Sequence, residues 1–240
     1  MLYRVRRRPA PDAGTGKTLP AVQFISGETR KMPRNACKGP ETRARILDIA
    51  QAAILQKGFD ATSIEEIVVA ADLTKGGFFY HFPDKSALAR ALIERHIAVE
   101  DEIFDGLWSR AGELSDDPLH SALIGLKLMA EMLADIPNGH PGCIVATAAY
   151  QDRLFDAEVR ELNRRAVLGW RARFRGVFDG IAALYPPRDE VDLDALADMV
   201  STVVEGGIVM GKALGEPQMV VGQILLFRQF VKQTFQPLPN

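Results

Sequence analysis

Between Thr74 and Lys85 the chain reads Thr-Lys-Gly-Gly-Phe-Phe-Tyr-His-Phe-Pro-Asp-Lys. These residue types suit an anionic polymer. Lys75 can donate to a phosphate or to a guanine edge, and Tyr80 and His81 can donate to phosphates or base edges. Gly76 and Gly77 let a backbone come close to a ligand, although each weakens a helix by roughly 1 kcal/mol relative to alanine. Folding alone does not explain that cost at an exposed helix start. Lys85 opens the next predicted helix, where an ammonium and unpaired backbone amides attract the same anion.

Other stretches offer chemistry with less behind them. Ala13-Gly14-Thr15-Gly16-Lys17-Thr18 has the end of a phosphate loop, but the pattern requires glycine where Pro11 stands, and no apolar strand precedes it. His140 and Cys143 have an interval seen among metal ligands, yet two ligands with no others nearby make no zinc site. We therefore expect no metal and no cofactor. Cys143 lies at a predicted helix N-terminus, where a thiol can have a lowered pKa and sense electrophiles or oxidants. The plainer reading, a small buried apolar residue, is preferred. No nucleophile with a recognisable base accompanies these features, so an enzyme is the least supported class.

The elements that position these residues have a helical period almost throughout. Ile46, Ile49, Ala50, Ala53 and Ile54 mark one face of a helix over 41–56, which Gly58 can end. Thr62 or Ser63 caps a second, short helix ending near Ala71, with Glu65 or Glu66 as capping partner. Asp72-Leu73 is a turn, Thr74 caps a third helix from Lys75 to about Tyr80, and Asp84 caps a long fourth one. Short helices joined by a tight turn make a helix-turn-helix, whose second helix fits the major groove. Phe78, Phe79 and Phe82 read as the core of this unit.

Beyond it, Asp117-Pro118, the loop 136–142, Asp156, Pro186-Pro187, Asp192 and Gln218 divide the rest into further helices, about nine in all. No convincing alternation of polarity is found, so sheet should be near zero. The fold class is all-α, with a three-helix N-terminal domain over 41–87 leading through a long helix into a bundle over 88–240. The arginines at 160, 164, 165, 171, 173 and 175 read as a solvated helix face. Phe104, Trp108, Met129, Met132, Tyr150, Trp170 and Phe174 can line an apolar pocket or simply fill the bundle. Gly206, Gly207 and Gly211 suggest close helix packing near the C-terminus, within the chain or between two copies.

Charge is uneven. Residues 1–40 carry a net +7, residues 41–96 a net −1 and the remainder −8. The basic arm, rich in proline and glycine, lacks the apolar surface to offset its ordering entropy and reads as disordered. It is taken as a tail in preference to a minor-groove arm. No apolar run crosses a bilayer, no secretory core follows the first arginines, and two cysteines make no disulfide framework. The expected location is cytoplasmic.

The stretch Glu41–Leu92, above all Ala61-Thr62-Ser63-Ile64-Glu65-Glu66-Ile67 and Leu73 to Lys85, resembles the tetracycline-repressor (TetR) family. The resemblance implies a homodimeric, ligand-responsive repressor of a palindromic DNA operator, with an effector pocket in the body and dimerisation through the last two helices. It assigns base reading to Lys75, Gly76 and Gly77 behind the Thr74 cap, and groove and backbone contacts to Tyr80 and His81. Phosphate contacts fall to Lys85, Thr62 and Ser63. The pocket would take Phe104, Trp108, Met129, Cys143, Tyr150, Trp170 and Phe174, and an apolar or weakly polar effector. The dimer interface would take Gly206, Gly207, Met210, Gly211 and Phe227. Phe79 departs from the family's tyrosine, removing one hydroxyl, and Asp72 from its turn glycine. Asp tolerates the left-handed region, so the turn should survive.

Overall fold

The computed structural model describes residues 2–5, 22–25 and 39–235. Among them are nine α-helices: α1 (Pro40–Lys57), α2 (Ile64–Ala70), α3 (Lys75–His81), α4 (Lys85–Leu114), α5 (Pro118–Ala134), α6 (Ile144–Tyr150), α7 (Ala157–Ala182), α8 (Leu193–Leu214) and α9 (Met219–Phe235). Among the described residues the secondary structure is helical apart from one short strand pair. β1 (Leu2–Val5) lies antiparallel to β2 (Val22–Ile25). That pair is absent from the sequence reading: two four-residue segments rich in β-branched and aromatic residues are too short to show a period of two. The rest of the predicted arm, with its partial phosphate loop, lies outside the described residues.

Helix boundaries follow local chemistry. Ser63 Oγ accepts from the Glu66 amide at 3.2 Å and Thr74 Oγ1 from the Gly77 amide at 3.1 Å. Asp84 Oδ1 accepts from the Ala87 amide at 2.6 Å, and Asp117 and Asp192 cap α5 and α8 in the same way. Gly58, with φ 87°, ends α1, and Asp72, with φ 51°, occupies the left-handed region in the turn before α3.

The helices form two compact units. Of the described residues the first holds 2–5, 22–25, 39–99 and 141–166, so α6 and the start of α7 belong with the helix-turn-helix. Its core contains Ile46, Ile54, Phe59, Ile67, Phe78, Phe82, Leu88 and Leu92, each at most 1 % exposed. Burying such a side chain contributes about 2 kcal/mol. Phe79 is not part of that core, being 44 % exposed. Residues four apart share one helix face and adjacent ones do not, so Phe78 and Phe82 point inward while Phe79 points out.

Of the described residues the second unit holds 100–140 and 167–235, with α9 packed against both α5 and α8. Phe174, Phe178, Phe227 and Phe235 fill it. The arginines of α7 in this unit are not merely solvated. Arg171 makes a forked pair with Asp198 at 2.7 and 2.6 Å. Arg173 bridges Asp101 at 2.7 Å and Asp105 at 2.9 Å, and Arg175 bridges Asp179 and Asp194. Apart from Asp179, one turn from Arg175, the acidic partners lie far away in sequence, so composition reads as a polar face what is a set of ties to α4 and α8.

Candidate functional site

The outward face of α3 is built from Lys75, Gly76, Phe79 and Tyr80. Tyr80 is 83 % exposed, its ring edge-on to His81 with centroids 5.0 Å apart. Lys75 Nζ is held by Glu65 at 2.7 Å, with both side chains largely exposed. That hydrogen bond and charge keep Glu65 below the usual carboxylate range. Such an exposed pair is screened by solvent, adds little to the fold and can be exchanged for a phosphate. A Cβ at Gly76 would meet nothing closer than Thr74 Oγ1 at 4.0 Å. Packing therefore does not require glycine there. α3 ends on the buried Phe82, so its inner side is anchored while its outer side is exposed.

Two predicted contacts sit differently. Thr62 is fully buried and its hydroxyl donates to the Gly58 carbonyl at 2.8 Å, leaving Ser63 as the cap of α2. A phosphate cannot reach Thr62. Lys85 is half-buried, its ammonium donating to the Phe59 carbonyl, and burial lowers its pKa. It fastens α4 to the end of α1 instead of standing beside unpaired amides.

The first unit contains a feature with no sequence signal. Gln151, at the end of α6, accepts from the Phe59 amide at 2.7 Å, and Phe155 meets Phe59 edge-to-face at 4.9 Å. Arg90 on α4 reaches Asp156 and Glu158. The segment after α6 thus grips the turn between α1 and α2.

Cys143 also belongs to this unit. Its Sγ accepts from the Ala146 amide at 3.4 Å and lies 3.9 Å from His96 Nε2. Burial pushes His96 down to about 4, so the imidazole is neutral near pH 7. A neutral neighbour supplies no charge to stabilise a thiolate. Among the described residues no group of three metal-binding side chains occurs, and no helix is long and apolar enough to cross a membrane.

The second unit brings together four of the predicted pocket residues. Phe104 stacks on Trp108, with centroids 4.2 Å apart and planes within 6°. Trp170 stacks on Phe174 at 5.5 Å, and Phe174 meets Phe104 and Trp108 edge-on at 5.4 and 5.2 Å. Phe104 and Phe174 are buried, whereas Trp108 and Trp170 keep some exposed surface. Met129 is buried on α5. Tyr150, 83 % exposed on α6 in the other unit, has no place in this cluster. Its position at the end of a short helix turns it outward, which periodicity over seven residues does not reveal.

A family model for bacterial regulatory proteins of the tetR family matches residues 46–92, the segment that builds α2, α3 and their braces. That segment is one of the tetR family of bacterial regulatory proteins. The chain is 33% identical over 91 residues to the uncharacterized HTH-type transcriptional regulator YvkB of Bacillus subtilis, 38% of this chain and 45% of that protein. With HTH-type regulator TtgR of Pseudomonas putida it shares 33% over 81 residues, 36% of that protein. The alignment thus spans less than half the length of these curated relatives. Transcriptional regulator AcuR of Cereibacter sphaeroides is similar over 209 residues, 85% of this chain and 92% of that one, at 25% identity. A solved TetR regulatory protein from Rhodobacter sphaeroides superposes with a TM-score of 0.64 at 22% identity, covering 78% of this chain and 97% of that one.

The predicted interface residues divide. Gly207 and Gly211 face their own chain: a Cβ at Gly207 would lie 2.7 Å from Val220 Cα, and one at Gly211 2.9 Å from the Glu216 carbonyl oxygen. Phe227 is 3 % exposed and packs near Phe178. The two glycines serve the α8–α9 contact inside one copy, and Phe227 ties α9 to α7. Gly206 meets nothing within 4 Å and Met210 is 50 % exposed, so both remain on an open face. Spacing identifies a glycine-lined contact without saying which copy supplies the other side.

Proposed function

We propose that this regulator binds a palindromic operator as a homodimer through α3, represses transcription there, and is released by a small molecule held in its body. The observation that carries the reading is the outward face of α3, where Lys75, Gly76 and Tyr80 stand exposed on a buried anchor. Lys75 leaves Glu65 for a guanine edge or phosphate, Gly76 lets the backbone approach, and Tyr80 and His81 contact the groove wall. With Thr62 and Lys85 committed to the fold, the remaining first-unit candidates for backbone contact are Ser63, Thr74 and Gly77.

Dimerisation is supported by Val209, Met210, Leu226 and Phe230, all more than 40 % exposed on α8 and α9. Two recognition helices must then meet successive major grooves about 34 Å apart. An effector acts only through its differential affinity for the spaced and mis-spaced conformations. Selecting bound fragments from random duplex DNA tests the reading. A palindromic consensus lost with Lys75→Ala is expected, and sequence-indifferent recovery overturns it.

A further inference from the structure

We propose that Phe79 reads a thymine of the operator through its 5-methyl group, so that an apolar ring gives the recognition helix part of its base preference. The inference rests on the reading of α3 as the helix in the major groove and adds a specificity-determining residue to it.

Three observations converge on Phe79. It follows Lys75 by four positions and Gly76 by three, so it shares the outward face of α3 with both. Second, it is 44 % exposed, whereas the neighbouring phenylalanines Phe59, Phe78, Phe82 and Phe155 are buried. Helical side chains lean towards the N-terminus, which lays this ring over the turn that holds Lys75 and Gly76. Gly76 has no side chain to cover it, and a Cβ there would meet nothing closer than Thr74 Oγ1 at 4.0 Å. Third, the ring is braced from beneath. Phe79 stands edge-on to the fully buried Phe78, with centroids 5.5 Å apart and planes at 88°. An exposed ring on a buried one presents a fixed apolar surface where the helix meets DNA.

What that surface recognises follows from its chemistry. A phenyl ring offers no conventional hydrogen bond. Pressed on a phosphate, or on an amino or keto edge, it strips water from those groups and supplies no partner. Among the four bases, thymine alone presents an apolar group in the major groove. The adjacent Tyr80 carries the hydroxyl that Phe79 lacks, is 83 % exposed, and stands about 100° further round the helix. The two aromatic residues therefore divide the surface: Tyr80 is equipped for a backbone oxygen and Phe79 for the methyl edge of a base.

The operator recovered by selection is resynthesised with deoxyuridine in place of thymidine, one symmetric pair of positions at a time. This exchange removes the 5-methyl group and leaves Watson–Crick pairing intact. Fluorescence anisotropy with the full-length protein reads each Kd. At one symmetric pair the exchange should weaken binding by about fourfold per half-site, as expected for one buried methyl group. Phe79→Ala should bind the thymidine operator more weakly and be indifferent to the exchange at that pair, and Phe79→Leu should retain most of the sensitivity. The proposal is overturned by a half-site without thymine, by a wild-type protein indifferent at every position, or by equal sensitivity in wild type and Phe79→Ala. Should Phe79→Ala not fold, Phe79→Gln takes its place in the cycle.

The outcome is separable from that of the reading beneath it. Recovery of DNA without sequence preference removes α3 as the base-reading helix, and Phe79 with it. A palindromic consensus that is lost with Lys75→Ala and ignores the uracil exchange keeps α3 in that role and removes Phe79 alone.

Discussion

Two Gly-Gly pairs in this chain have identical sequence and opposite purposes. Gly206-Gly207 on α8 stands where a side chain at the second position would strike the backbone of α9 at Val220. Gly76-Gly77 on α3 stands where a side chain at Gly76 would meet no atom closer than 4.0 Å. In the first case the missing Cβ is demanded from within the molecule. In the second nothing in the molecule demands it, and the demand must come from what approaches. A glycine tolerated against helix propensity carries meaning only once its surroundings are known.

The sharpest way to break this contrast is Gly207→Leu. The side chain must displace Val220 Cα, a backbone atom, so α8 and α9 separate. Overpacking of this kind costs typically 1–3 kcal/mol where side chains yield, and here more than about 3 kcal/mol. Urea denaturation should show that loss. Gly206→Ala, in open space, should leave the monomer as stable or slightly more so. If its light-scattering mass falls from dimer to monomer, the open face is the interface. If Gly207→Leu unfolds no earlier than wild type, the packing account of the α8 glycines is wrong.

The two pairs also show what the sequence could reveal. Near Gly76 every necessary signal is local: Thr74 as cap, Asp72 in the left-handed turn, Phe78 and Phe82 inward at a helical interval. Residues a few positions apart define that unit, and spacing alone recovers it. Near Gly207 the deciding neighbour is Val220 on another helix. Gln151 is the extreme case, joined to Phe59 across 92 residues. Thr62 and Ser63 were equivalent as caps until burial separated them, and Tyr150 matched the pocket residues in type while lying on another unit. Local chemistry is legible in sequence; partners brought together by tertiary packing are not.

Next in size is a pair of titrations on α4 that contrasts the two units. His96, in the first, is held neutral down to about 4 against an ordinary 6.5, and Glu100, in the second, is raised to about 7 from 4.5. For His96 the unfolded chain binds more protons, so its contribution is present above pH 6.5 and is lost as pH falls towards 4. For Glu100 the folded chain binds more, so its contribution is present below pH 4.5 and is lost as pH rises through 7. Each amounts to up to about 3 kcal/mol, with opposite slope. Wild-type stability should be nearly flat in this respect between pH 4.5 and 6.5. His96→Gln should make it fall with pH, and Glu100→Gln should make it rise. Parallel slopes in both variants, followed by thermal melts, would break the contrast.

Lys75→Ala tests the α3 side alone. The fold loses only an exposed ion pair, so stability should change little. Operator affinity should fall by roughly tenfold, and if the contact is to phosphate the salt dependence should weaken by about one ion. Glu65→Gln, which releases the ammonium from its internal partner, should shift affinity the other way. Fluorescence anisotropy on the selected operator measures both.

The smallest effect is the most discriminating. Gly76→Ala fills open space on a helix, so it should stabilise the fold by at most about 1 kcal/mol, which is the ordinary preference for alanine. The methyl group points where Lys75 and Tyr80 also project, and DNA pressed against that surface must retreat to admit it. Operator affinity should therefore fall while the melting temperature rises. Gains in both would mean that no ligand approaches the backbone there, and the glycine would need another explanation. Losses in both would place a structural demand where the geometry shows none. Only the split result, a firmer domain that binds worse, marks Gly76 as a residue retained for its partner at the expense of its own helix.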